Sequence, residues 1–149
     1  MKRQFLCLLI LLTLLLFPQQ LLSQKHHVEE MIGKKLSEVT AVYGKPVHQD
    51  KSNPAMICVF YQNQTEQKTF VANQSGVFQA EVNLKFDNKS KANQMISDYI
   101  SQCQKNGFVS DTLNVNEFNI SKTGTRVNLS LFENNYSKKY EVKIKAVKM

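Results

Sequence analysis

The chain has 149 residues, 42% of them hydrophobic and 21% charged, with a formal net charge of +7 and three cysteines. That length fits one ordinary domain with a core of its own. The lysines are scattered through Ser- and Asn-rich sequence and form no block, which argues against nucleic acid as a partner and makes the basicity mainly a solubility feature.

The first segment is a targeting signal. "MKRQFLCLLILLTLLLFPQQLLSQ" places Lys2 and Arg3 ahead of an apolar run from Phe5 to Phe17, interrupted only by Thr13 and followed by Pro18-Gln19-Gln20. This is the pattern of a secretory signal peptide, with cleavage expected after Ser23, so that 1–23 are removed and 24–149 form a single domain. The run is shorter than the roughly 20 residues a bilayer crossing needs, and no second one follows. The expected mature chain is therefore exported, periplasmic or secreted, without a transmembrane segment. Cys7 lies inside the apolar run and not at the cut, so no bacterial lipid anchor is expected. Loss of Lys2 and Arg3 lowers the net charge by two.

In "MIGKKLSEVTAVYGKPV" (31–47), Met31, Ile32, Leu36, Val39, Val42 and Tyr43 fall at helical spacing, Gly44 sits where a left-handed C-terminal residue belongs, and Pro46 blocks continuation. The two Gly-Lys pairs are not a phosphate loop, because Pro46 stands where Ser or Thr is required and Gly33 is too far upstream. After the polar link "HQDKSNP", strands are expected at 56–62, 68–73 and 77–86. In the third, Phe78, Ala80, Val82, Leu84 and Phe86 alternate with more polar residues, giving one buried and one wet face. A second helix is expected at 89–105, with Ala92, Met95, Ile96, Tyr99, Ile100 and Cys103 along one stripe and Gly107 ending it. Strand sequence resumes over 108–120, turns through "SKTGT" into 126–133, and turns again into 140–148. The expected fold class is α+β: two helices packed on a mainly antiparallel sheet in the order α-βββ-α-βββ. It reads either as a unit used twice or as one undivided sheet.

The first-helix pattern Gly33-x-x-Leu36-Ser37-x-Val39-x-x-x-Tyr43-Gly44-x-Pro46, followed by a strand meander, resembles the small exported domains typified by outer-membrane assembly lipoproteins and β-lactamase inhibitor proteins. The resemblance covers about fifteen residues and lacks the lipoprotein cysteine. It implies a non-enzymatic protein-binding module and transfers no site residues.

Candidate chemistry is sparse. A free amine at Gln24 with His26 in third position could wrap Cu(II) or Ni(II), provided that Gln24 does not cyclise and His26 is free; a polar tail is the plainer reading of "QKHHVEE". His26, His27, Glu29 and Glu30 lack the spacing of a zinc site, and no metal or other cofactor is expected. Cys58 and Cys103, left after maturation in an oxidising compartment, are a disulfide candidate or two buried free thiols. Neither sits in a setting that activates a thiol, and no serine-hydrolase elbow is present, so no catalytic residue is expected. Lys143 and Lys145 on the last strand, with Arg126, Lys122 and Lys85, either protect an edge strand or form a face for an acidic partner. Asn-x-Ser/Thr sites begin at Asn63, Asn73, Asn88, Asn119, Asn128 and Asn135, and Asp111-Thr112-Leu113 resembles a short bacterial O-glycosylation motif. The expected function is an exported, non-enzymatic module that binds a protein, as an adaptor or inhibitor. The alternative is a binder of anionic glycans or lipid headgroups through the Lys-rich strands.

Overall fold

A computed structural model describes residues 26–149; the expected signal peptide, its cut, Gln24 and Lys25 lie outside the described residues. The chain is α+β, as its patterning requires. A 3₁₀ turn at Val28–Met31 precedes helix α1 (Leu36–Tyr43) and four strands, β1 (His48–Asp50), β2 (Ile57–Gln62), β3 (Glu66–Asn73) and β4 (Gly76–Phe86). Helix α2 (Lys89–Lys105) opens the second half, followed by β5 (Val109–Asn114), β6 (Glu117–Lys122), β7 (Thr125–Asn134) and β8 (Lys139–Lys148). All neighbours pair antiparallel, in the order β1-β2-β3-β4-β8-β7-β6-β5. Each half is a helix and a four-strand meander, and the last strands of the two meanders join in the centre.

The sheet has two more strands than the three per half expected. His48–Asp50 was expected to be a link; it is a short edge strand whose polar, exposed residues carry no alternation, and it pairs with β2 from His48 opposite Phe60 to Asp50 opposite Cys58. The single strand expected over 108–120 is broken by a turn in which the Asn116 amide donates to Asn114 Oδ1 at 2.9 Å. Val115 stands at its tip, 85% exposed, and its apolar side chain hid the turn in the sequence.

The first helix also starts later than its periodicity indicated. Met31 closes the 3₁₀ turn and Ile32 is extended. The Gly33 amide donates to Val77 O at 2.7 Å, and the Val77 amide donates to Lys34 O at 2.8 Å. These two bonds stitch the segment to the start of β4, and α1 begins only after them, with Glu38 accepting from the Lys35 amide at 2.8 Å. Helix α2 has the expected bounds: Asn88 accepts from the Lys91 amide at its start, and the Phe108 amide donates to Cys103 O past its end.

The 3₁₀ turn and both helices lie on one face of the sheet. Val28, Val39 and the Ala92, Ile96, Tyr99, Cys103 stripe of α2 share a single core with Phe70, Val82, Leu129, Val142 and Ile144. Burying a side chain such as Phe70 there stabilises the fold by about 1.5–3 kcal/mol. No helix among the described residues is long and apolar enough to cross a membrane.

Candidate binding face and a buried polar cluster

The strand residues that alternate with the core set make up the opposite face of the sheet. Its middle row, read through the register, runs Phe60, Thr69, Glu81, Lys145, Asn128, Asn119 and Asp111. Flanking it are Asn83, Lys143 and Ser130 on one side and Gln79, Val147 and Arg126 on the other. The side chains are short or amphipathic and bonded to one another. Asn83 Nδ2 and Asn134 Nδ2 donate to the two Glu141 oxygens at 2.9 and 2.8 Å, Asn128 donates to Asn119, and Lys143 Nζ lies 2.9 Å from Glu81.

Four of the five basic residues grouped from the sequence, Lys85, Lys143, Lys145 and Arg126, are on this face, interleaved with Glu81 and Glu141. Lys122 is not brought together with them. It continues the Phe118, Ile120 parity of β6 onto the helix side, where its ammonium stands 4.7 Å over the Phe108 ring and 3.4 Å from Asn106 O. The grouping followed charge; strand parity from Ile120, legible in the sequence, separates Lys122 from the rest.

The two cysteines are free thiols. Cys58 is on β2, with Sγ 3.8 Å from Met56 O, and Cys103 is on α2 in the core. Burial and the Asp50 carboxylate raise the Cys58 pKa; burial and Glu29 raise that of Cys103 further. Neither thiol is set up as a nucleophile. His26 does not stand free either: its Nδ1, the atom that a Cu(II) or Ni(II) complex would need, lies 2.8 Å from Glu66 Oε1. Burial works against ionising Glu66, but bonds from His26 and Lys68 outweigh it and hold the carboxyl below its ordinary value.

The sequence reading missed the most polar part of the core. Beneath α2, His27 Nδ1 donates to Glu29 Oε1 at 2.7 Å, the Tyr99 hydroxyl donates to Glu29 Oε2, and Cys103 Sγ is 3.5 Å from Glu29 Oε1. The His27 and Tyr99 rings stack at 4.8 Å. Glu29 is only 3% exposed. Three donors thus satisfy one buried carboxylate, as a charge in that position requires. His27 and Tyr99 also border a cleft of about 560 Å³ that reaches Met95, Asp98 and Lys105, and Glu29 borders another of about 490 Å³ towards Phe108 and Lys122. Tyr99 and Cys103, one helical turn apart on a stripe read as purely apolar, were the available signal.

One polar atom at the edge of the core is, by contrast, unsatisfied. Tyr43 packs on Phe70 at 5.1 Å, and its hydroxyl has no hydrogen-bond partner among the described residues. Tyr43→Phe is therefore expected to leave stability unchanged or raise it by about 1 kcal/mol, measured as a denaturation midpoint. A loss above that size would show that the hydroxyl has a partner in solution.

No protein-family model matches the chain, and no curated protein matches it. Among solved structures it is similar to an extracellular protein containing an SCP domain from Bacillus anthracis str. Ames, at 15% identity and a TM-score of 0.46, over 80% of this chain and 45% of that one. It is also similar to a cysteine-rich secretory protein from Staphylococcus aureus subsp. aureus Mu50, at 10% identity and a TM-score of 0.45, over 79% of this chain and 44% of that one. The chain spans less than half the length of either.

Proposed function

We propose that this chain is an exported, non-enzymatic module that binds another protein on the open face of its sheet. The observation that carries the reading is the asymmetry of the sheet: both helices cover one face, and the other presents polar, charge-balanced side chains across its strands. Pairing Lys143 with Glu81, and Lys85 across from Glu141, removes the concentrated positive field that an anionic polymer would exploit. The signal-peptide pattern supports export, and the first-helix resemblance to exported binding domains supports a protein partner. The two thiols, both raised in pKa, offer no nucleophile for catalysis.

The test is site-directed photo-crosslinking in the native cells, with the photoreactive residue at Thr69 or Asn128 on the open face and at Asn93 on α2 as control. One recurrent protein captured from the first two positions and not from the third is the expected result. With that partner purified, Thr69→Arg with Asn128→Arg is expected to weaken binding about tenfold or more. Binding should persist from low to physiological salt, since the face carries no large net charge. If no protein is captured, and the chain instead binds an anionic glycan or anionic vesicles in a salt-sensitive way, the proposal fails.

A further inference from the structure

We propose that His27, Glu29 and Cys103 form a binding site for a zinc-class divalent metal ion at the foot of α2. Their ligand atoms, one imidazole nitrogen, one carboxylate oxygen and one thiol sulfur, all lie within 4.8 Å of one another, and all three residues are buried. Zinc takes these donors at about 2.0–2.3 Å in a tetrahedral arrangement, which sets them about 3.3–3.8 Å apart. The 3.5 Å from Cys103 Sγ to Glu29 Oε1 falls within that spacing, and the 2.7 Å from His27 Nδ1 to the same oxygen is the shorter distance of a hydrogen bond that the ion would replace. The fourth position falls to the Tyr99 hydroxyl, already bonded to Glu29, or to a water entering from the cleft that His27 and Tyr99 border.

Charge and donor type favour the ion. The cluster offers one imidazole, one carboxyl and one thiol, the donor types that zinc takes. A divalent ion that displaces the thiol proton meets a carboxylate and a thiolate, and the site becomes neutral. The thiol proton leaves to solvent, and the imidazole proton moves from Nδ1 to Nε2, freeing Nδ1 as the ligand. Calcium and magnesium prefer all-oxygen sets, so a mixed nitrogen, oxygen and sulfur set selects a zinc-class ion. The open sheet face takes no part, so the site stands independently of the proposed protein binding.

Cobalt(II) titrated into the purified domain is the direct probe. The expected result is thiolate-to-cobalt charge-transfer absorption in the near ultraviolet, saturating at one equivalent and removed by excess zinc. Cys58→Ser should keep the absorption and Cys103→Ser should lose it. His27→Ala should weaken binding by more than about a hundredfold, beyond the range seen when only a supporting group is removed. As a control for variants that fail to fold, the unaltered domain is melted with zinc and with chelator, and zinc should raise the midpoint in proportion to the logarithm of its free concentration. A folded, reduced domain that shows neither the absorption nor the zinc-dependent midpoint overturns the proposal. So does an absorption that disappears with Cys58→Ser and survives Cys103→Ser.

Discussion

Replacing Glu29 with alanine is expected to remove about 3–5 kcal/mol of stability in the chelator-treated protein, a large share of what a domain of this size has. The carboxylate, in the 3₁₀ turn, is the shared acceptor for His27, which precedes that turn, and for Tyr99 and Cys103 of α2. Its loss leaves three buried donors without their shared acceptor. Glu29→Gln keeps one oxygen acceptor and the side-chain volume, and is expected to cost about 1–3 kcal/mol. Denaturant titration of the two variants against the parent measures both. A loss below about 1 kcal/mol for Glu29→Ala would mean that the three donors find other partners and that the cluster does not hold the turn to the helix.

Gly76→Ala is the second substitution with a large expected effect, about 2–4 kcal/mol destabilising. Gly76 has φ +109°, and a Cβ built on it falls 2.7 Å from Gly33 O and 2.8 Å from Lys34 O. Both obstacles are backbone, so no rotamer change relieves them. Relief requires the 33–34 segment to move off β4, which breaks the paired bonds between Gly33 and Val77 and between Val77 and Lys34. Gly124→Ala is the matched control: its φ is +83° and nothing lies within 4 Å, so only the left-handed backbone cost of about 1–2 kcal/mol applies. Equal losses for the two variants would show that the close approach at Gly76 is absorbed. Amide exchange at Gly33 and Val77 should accelerate in Gly76→Ala and stay unchanged in Gly124→Ala.

Much of the fold was legible because its signals are local. Helix α2 has a capping Asn88, an unbroken apolar stripe and Gly107, and β4 and β8 alternate along most of their length. What was misread depends on partners distant in sequence. The helical spacing of Met31 and Ile32 is real, but Gly33 bonds to Val77, and that tertiary pairing ends the turn. β1 is a strand only because β2 lies beside it. The candidate site divides in the same way. Alternation placed Lys143 and Lys145 on the wet face of β8, whereas the Glu29 cluster joins residues 70 and 74 positions apart and leaves no local trace beyond a tyrosine and a cysteine one turn apart.

The seam between β4 and β8 has a consequence for how the chain reaches this fold. Every other ladder joins strands of the same half, most of them neighbours across a short turn. In the β4–β8 ladder even the least separated pair, Phe86 with Tyr140, spans the whole of α2 and three strands. Closing it carries the loop entropy that the local hairpins avoid, so the pace of folding is set where the two meanders meet. The 3₁₀ turn rests on β4, β7 and β8, and α2 rests on β4, β5 and β8. Neither has its full bed until that closure, so the halves can assemble their own hairpins early but acquire their shared core only together.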